Sequence, residues 1–224
     1  MTRLIGCTVL LVLAAGAAAD GYLPDLLEFD GTDTLVFDPA PQFDLSDGGT
    51  LEFWVSPDWT DAPDYDPIVL CNAGGDDIAY AIGILRDRNG LLLVAGDGED
   101  IFPADLDDGR MHHIALHQLE DGVVVLVDGE PVGTSGLSIP AITSDGLWLG
   151  SLDGENDMFA GAIAGFRVWD TVVDQATLVE FAFKDAVFDD HPYLDELTAI
   201  SDFEVGEVML VDDESIGDDE GDAP

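Results

Sequence analysis

Three histidines stand close together in this chain of 224 residues: His112, His113 and His117. Histidines hold zinc when their ring nitrogens can converge on one ion. In a helix, His113 and His117 would share a face one turn apart. In a strand they share a face but lie about 13 Å apart, at about 3.3 Å per residue. Zn–N bonds are about 2.0–2.1 Å long, so one ion could not take both rings. His112 would point to the opposite face. The surrounding residues read as strand, so the three histidines are expected to be scaffold.

Carboxylates offer a second chemistry. They gather at Asp97-Gly-Glu-Asp100, at Asp105 with Asp107-Asp108, and at Asp153-Gly-Glu-Asn-Asp157. Calcium takes about 6–8 oxygens at about 2.3–2.6 Å, from carboxylates and carbonyls on flexible loops. Asp153, Glu155, Asn156 and Asp157 concentrate such donors best and are the expected calcium ligands. The chain carries 48 acidic residues, however, so almost any loop shows two or three, and none of these strings has the EF-hand pattern. Aromatic rings offer a third chemistry, because sugars stack their C–H faces on them. Trp59 and Tyr65, in a Pro- and Asp-rich loop, are the expected ligand-binding pair. Trp54, Trp148 and Trp169 are expected to fill the core and its edges.

The elements that must position these groups are strands. Gly109 to Gly133 reads as strand, turn, strand, turn, strand, with Glu120-Asp121-Gly122 and Asp128-Gly129 as the turns. Asp-Gly between apolar runs signals a hairpin, because the turn needs positive φ. Thr50 to Ser56 alternates, placing Leu51, Phe53 and Val55 on one face and Glu52, Trp54 and Ser56 on the other. Further strands are expected at Leu27–Phe29, Thr34–Phe37, Pro67–Cys71, Ala79–Arg86, Leu91–Ala95, Ile101–Phe102, Gly146–Gly150 and Met158–Trp169. Turn signals recur about every ten residues, which predicts an antiparallel sandwich or barrel. The first helix is late: Asp174 caps a segment running to about Phe183. A short helix is expected within Asp189–Leu197, with Pro192 at its first position, and one more strand within Glu204–Val211.

Charge and cysteine content narrow the partners. The formal charge is -42, and Lys184 is the only lysine. Such a chain repels nucleic acid and anionic membrane surfaces. Thr2-Arg3, the apolar run from Leu4 to Ala14 and the small residues Ala17-Ala18-Ala19 form the pattern of a cleavable signal peptide. The mature chain would be secreted or periplasmic, with no transmembrane anchor left after cleavage. Cys71 would then be the only thiol, in an apolar strand where a buried, inert side chain is expected. The expected organisation is signal peptide at 1–19, β-domain at 20–183, extension at 184–211 and disordered acidic tail at 212–224.

The order of motifs resembles the laminin-G-like jelly roll of the concanavalin A-like lectin and glucanase superfamily. The residues that carry the resemblance are Phe29-Asp-Gly31, Thr50-Leu-Glu-Phe-Trp-Val-Ser-Pro57, Gly109-Arg-Met-His-His-Ile-Ala-Leu116, Val127-Asp-Gly129, Leu147-Trp-Leu-Gly150 and Phe159-Ala-Gly-Ala-Ile-Ala-Gly-Phe-Arg-Val-Trp169. The resemblance implies an all-β, antiparallel jelly-roll sandwich that binds glycans or proteins, often with calcium at its rim. Members often carry Asp after the Ile of the Gly-x-Ile motif. Ala164 stands there instead, so no metal ligand is carried over to it. A glucanase of this superfamily would need Glu-x-Asp-x-x-Glu on one strand, one carboxylate as nucleophile and the other as acid/base. The nearest string, Asp202-Phe-Glu-Val-Gly-Glu207, exchanges Asp and Glu and contains a Gly. The expected function is therefore an exported, non-enzymatic module for carbohydrate or a protein surface, with calcium as a possible aid. The alternatives are a structural domain of an envelope or matrix complex and a degenerate glucanase.

Overall fold

The computed structural model describes residues 26–87, 89–184, 191–202 and 207–210, with backbone only for Asp202 and 207–210. The expected signal peptide and acidic tail lie outside these residues. The described chain folds as fourteen strands and one helix. In order they are β1 (Leu26–Asp30), β2 (Leu35–Phe37), β3 (Gly49–Pro57), β4 (Ile68–Gly74), β5 (Asp77–Ile84), β6 (Gly90–Ala95) and β7 (Gly98–Pro103). They continue with β8 (His112–Leu119), β9 (Gly122–Val127), β10 (Glu130–Ser135), β11 (Gly146–Leu149), β12 (Ala160–Trp169), α1 (Gln175–Phe181), β13 (Leu197–Asp202) and β14 (Glu207–Leu210).

Two antiparallel sheets face each other. The eight-stranded sheet runs β10-β9-β8-β3-β12-β13-β14, with β1 also paired to β12. The six-stranded sheet runs β2-β11-β4-β5-β6-β7. The all-β jelly-roll sandwich expected from the sequence is the observed architecture. Alternation explains the layering. Leu51, Phe53 and Val55 of β3, with Ile114 and Leu116 of β8, turn inward. They meet Tyr80, Ile82 and Ile84 of β5 and Leu91 and Leu93 of β6 in one core. The hairpin from β9 to β10 turns at Asp128 (φ 52) and Gly129 (φ 80), the two positive angles that an Asp-Gly turn supplies.

Three local expectations differ from the structure. Asp97-Gly-Glu-Asp100 is not a loop: β7 already begins at Gly98, so these acids sit on a tight turn and an edge strand. The segment Asp189–Leu197 holds only a short 3₁₀ turn at Leu194–Glu196, and β13 follows it directly. β13 pairs with β12, so the stretch after Lys184 extends the main sheet. The helix is capped as expected, Asp174 accepting the amide protons of Ala176 and Thr177.

The two sheets differ on their outer sides. The outer face of the eight-stranded sheet is covered by the chain itself. Ala115, Leu126 and Trp169 pack there with Val173, Leu178 of α1 and Leu197 of β13. Trp54 donates from Nε1 to the Ala182 carbonyl at 3.0 Å and its ring lies 4.5 Å from that of Phe183. The outer face of the six-stranded sheet carries an apolar row in register: Val36, Trp148, Cys71, Ala81 and Val94. Leu92, Val94 and Trp148 stay half-buried there, and Ile101, opposite Leu92, is 56% exposed.

Candidate functional site

The histidines part as strand geometry requires. His112 is held between Asp128, 2.9 Å from Nδ1, and Asp108, 3.0 Å from Nε2. His113 turns to the other face, where Nε2 lies 2.8 Å from Glu52. His117 is buried with Nε2 unpartnered, and burial lowers its pKa. Glu52 is the centre of a buried polar network that also takes Arg167 at 3.3 Å and the Trp169 indole N–H at 3.1 Å. Burial alone would raise the Glu52 carboxyl. Arg167, helped by His113 and Trp169, outweighs it and holds the group at about 2.

The other candidates converge at one end of the sandwich. Residues 150–159 form a loop between β11 and β12, closed by Phe159 N–H to Gly150 C=O at 2.9 Å and Leu152 N–H to Asn156 C=O at 3.0 Å. Gly150 opens it at φ +85, and a Cβ there would stand 2.4 Å from the Phe29 ring. Asp153 organises the interior. Its Oδ1 accepts the amide protons of Glu155 and Asn156, and its Oδ2 accepts from Asn156 Nδ2 at 2.7 Å. The Asn156 amide is the main reason its carboxyl titrates below the usual range.

The loop 58–67 is fastened to this one. The Tyr65 hydroxyl donates to the Met158 carbonyl at 3.2 Å, and Ile68 N–H donates to the Asp157 carbonyl at 2.8 Å. Asp157 has a left-handed backbone, φ 50. Burial, then the charges of Asp153 and Asp66, raise its carboxyl. Leu152 folds onto the outer face of the six-stranded sheet beside Cys71. Gly154 passes over Trp148, where an added Cβ would lie 3.9 Å from the indole. Tyr65, Trp148 and the acidic loop therefore form one continuous rim. Trp59, by contrast, packs half-buried against the sandwich core. Trp148, expected from the sequence to fill the core and its edges, lies half-buried on the outer face beside this loop, while its neighbours Leu147 and Leu149 turn into the core.

Both Asp153 oxygens are used within the loop, and among the described residues no three of His, Cys, Asp and Glu form a metal-holding group. Ala164 is buried against Trp54 and Ala182. Cys71 is buried and unpaired, and burial, with Asp153 nearby, pushes its thiol up to about 12. A cleft of about 310 Å³ between Pro41, Asn72 and Ser144 stands elsewhere. The Ser144 hydroxyl donates to Asn72 Oδ1 at 2.6 Å, and Asn72 Nδ2 donates to the Phe43 carbonyl, so its floor is internally satisfied. Among the described residues no helix is long and apolar enough to cross a membrane.

The laminin G-type family model of the concanavalin A-like lectin/glucanases superfamily matches residues 29–178. The chain belongs to this superfamily. No curated protein matches it. Among solved structures, a candidate carbohydrate-binding protein from Bacteroides ovatus is similar at TM-score 0.59 and 15% identity, over 81% of this chain and 52% of that one. Trypanosoma rangeli sialidase in complex with the inhibitor DANA is similar at TM-score 0.56 and 16% identity, over 72% of this chain and 28% of that one. The CBM40 of Ruminococcus gnavus IT-sialidase, bound to α2,3-sialyllactose, is similar at TM-score 0.54 and 14% identity, over 70% of this chain and 95% of that one. The superfamily member described here thus spans about half of the Bacteroides protein and a smaller share of the sialidase.

Proposed function

We propose that the chain is an exported, non-catalytic module that binds carbohydrate at the rim formed by Tyr65, Trp148 and the loop 150–159. One observation carries this reading: Trp148 lies half-buried on the outer face of the six-stranded sheet, with a polar loop at its edge. An indole so placed stacks on the C–H face of a sugar ring, and carboxylate, amide and backbone groups beside it bond the hydroxyls. The likeness to a candidate carbohydrate-binding protein and to a sialidase CBM40 supports it. The state of Glu52 supports a non-catalytic role. A carboxyl held at about 2 and enclosed by Arg167 and His113 is a poor proton donor near neutral pH. Export rests on the Thr2–Ala19 pattern, and sequencing the secreted protein should find a mature N-terminus near Asp20.

A glycan array tests the binding reading. Wild type should give positive spots, and Trp148→Ala should lose them while its melting temperature stays within a few degrees of wild type. A blank array on folded protein, or undiminished binding by Trp148→Ala, would overturn it. Calorimetry with calcium and with a chelator decides whether the ion assists. A second reading, a protein surface, is favoured by half-buried Val36, Leu92 and Val94 beside Trp148 and by exposed Ile101. It predicts a partner that Trp148→Ala also releases.

A further inference from the structure

His191 sits where a second ring proton has no place to go. Its imidazole is buried, stacked on Trp169 of β12 and met edge-on by Phe181 of α1. Nδ1 accepts the Tyr193 amide proton, so it carries none of its own. Protonation would set one N–H against another and break that bond. Nε2 is buried with no partner, so the new charge would find no acceptor there either.

Charged groups face the ring from each element packed on it. Glu52 of β3 and Asp174 at the start of α1 attract a proton, and Arg167 of β12 repels it. His113 and His117 of β8 share that sheet face, His113 being bonded to Glu52. Lys184 lies over the Phe181 ring and pairs with Glu180. On its own segment the ionisable neighbours are Tyr193, Asp195 and Glu196, while Asp189 and Asp190 lie outside the described residues. Burial outweighs the two carboxylates and holds the ring at about 4. Glu52, held at about 2, and Asp174, lowered by the Thr177 hydroxyl, both keep their charge at pH 4.5.

The segment His191–Glu196 rests on the sheet largely through this ring. Tyr193 and Leu194 lie half-buried on the same apolar cluster as Trp169. The Tyr193 hydroxyl reaches Asp174, and the Asp170 amide donates to the Glu196 carbonyl at 2.9 Å. The amides of Leu194 and Glu196 bond within the segment, to the carbonyls of His191 and Tyr193. From Leu197 onward, pairing with β12 holds the chain in the sheet.

We propose that His191 is an acid-operated latch: protonating its ring frees the segment His191–Glu196 from Trp169 and α1, and uncovers one face of the Trp169 indole while both sheets stay folded. Linkage sets the sign and the size. A histidine at about 4 when latched and about 6.5 when free favours the latched state fully above 6.5 and loses that preference toward 4. Between pH 7 and pH 4.5 this one ring shifts the opening equilibrium by about fiftyfold.

Native-state hydrogen exchange on the full chain tests the latch, with amide rates corrected for their intrinsic pH dependence. The amides of Tyr193, Leu194 and Glu196 should lose protection by about fiftyfold between pH 7 and pH 4.5, while those of β5 and β6 keep theirs. His191→Phe retains a stacked ring and every other ionisable group, and should stay protected at pH 4.5. Unchanged protection in wild type, an equal loss in His191→Phe, or a loss shared by β5 and β6 overturns the latch. If His191→Phe does not fold, the onset in wild type decides. Opening driven by a histidine begins near pH 6.5 and grows about tenfold per unit, whereas opening driven by carboxylates begins below about pH 5 and would overturn the proposal.

Discussion

The imidazole of His191 stacks on the indole of Trp169, with ring centroids 4.3 Å apart and planes 25° from parallel. Phe181 of α1 meets the same ring edge-on, at 4.5 Å between centroids. His191 Nδ1 accepts from Tyr193 N–H at 3.1 Å, while Nε2 is buried without a partner. This packed ring fastens the segment that begins at His191 to the outer face of the eight-stranded sheet. Burial outweighs the pull of Glu52 and Asp174 and lowers its pKa to about 4. A histidine whose pKa is depressed by folding contributes fully above its unfolded value of about 6.5, and the contribution fades as pH falls toward 4. The expected loss by pH 4 is on the order of 1–3 kcal/mol. Urea titrations of wild type and His191→Phe from pH 7.5 to 4.5 check it. The wild type should lose stability relative to the variant across that window, and parallel curves would refute the assignment.

Glu52 and Arg167 form a buried pair, each almost wholly shielded from solvent. Glu52→Ala leaves Arg167 with an uncompensated charge and should cost about 3–5 kcal/mol. Adding Arg167→Met should restore part of that loss, since the orphaned charge goes with it. A double-mutant cycle by urea denaturation measures the coupling. Additive costs would mean that the two groups do not share a network.

Asp174 accepts two helix amides and the Thr177 hydroxyl, and the Tyr193 hydroxyl donates to it at 3.2 Å. It therefore joins the start of α1 to the following segment. Asp174→Ala should cost about 1 kcal/mol and speed amide exchange in α1 before the strands respond. Asp174→Asn, which retains the acceptor oxygen, should recover most of the loss.

The charge of -42 works against compactness at low ionic strength. Melting temperature should rise by several degrees between about 10 and about 500 mM NaCl, as the screening length falls from about 30 to below about 8 Å. A flat or falling profile would contradict this.

Much of the architecture could be read from the chain because its signals are local. Asp128-Gly129 specifies its hairpin by backbone conformation, and the alternation of Leu51, Phe53 and Val55 specifies an inward face. What the chain hid is non-local. Trp54 was expected to be buried, but Glu52 beside it on that face has a solvent-facing setting until α1 and β13, more than 100 residues later, cover the face. β13 escaped detection because Ala199 and Ser201 are weak strand formers and its support is a neighbour, β12. The rim was half legible. Its acids and Tyr65 stood out by composition, but the contact between Tyr65 and Met158 spans 93 residues. Trp148 has the same alternating setting as any core residue. Only the pairing of β11 with β2 and β4 puts its ring on the outer face of the six-stranded sheet.

The recognised family region stops at Leu178, within α1. His191, Leu197 and the pairing of β13 with β12 lie beyond it. A transplantable version of this module is therefore longer than its recognisable signature. A graft into another protein should run through Leu210. Trimmed at Leu178, it would carry an unclothed Trp169 and a sticky outer sheet into its new host.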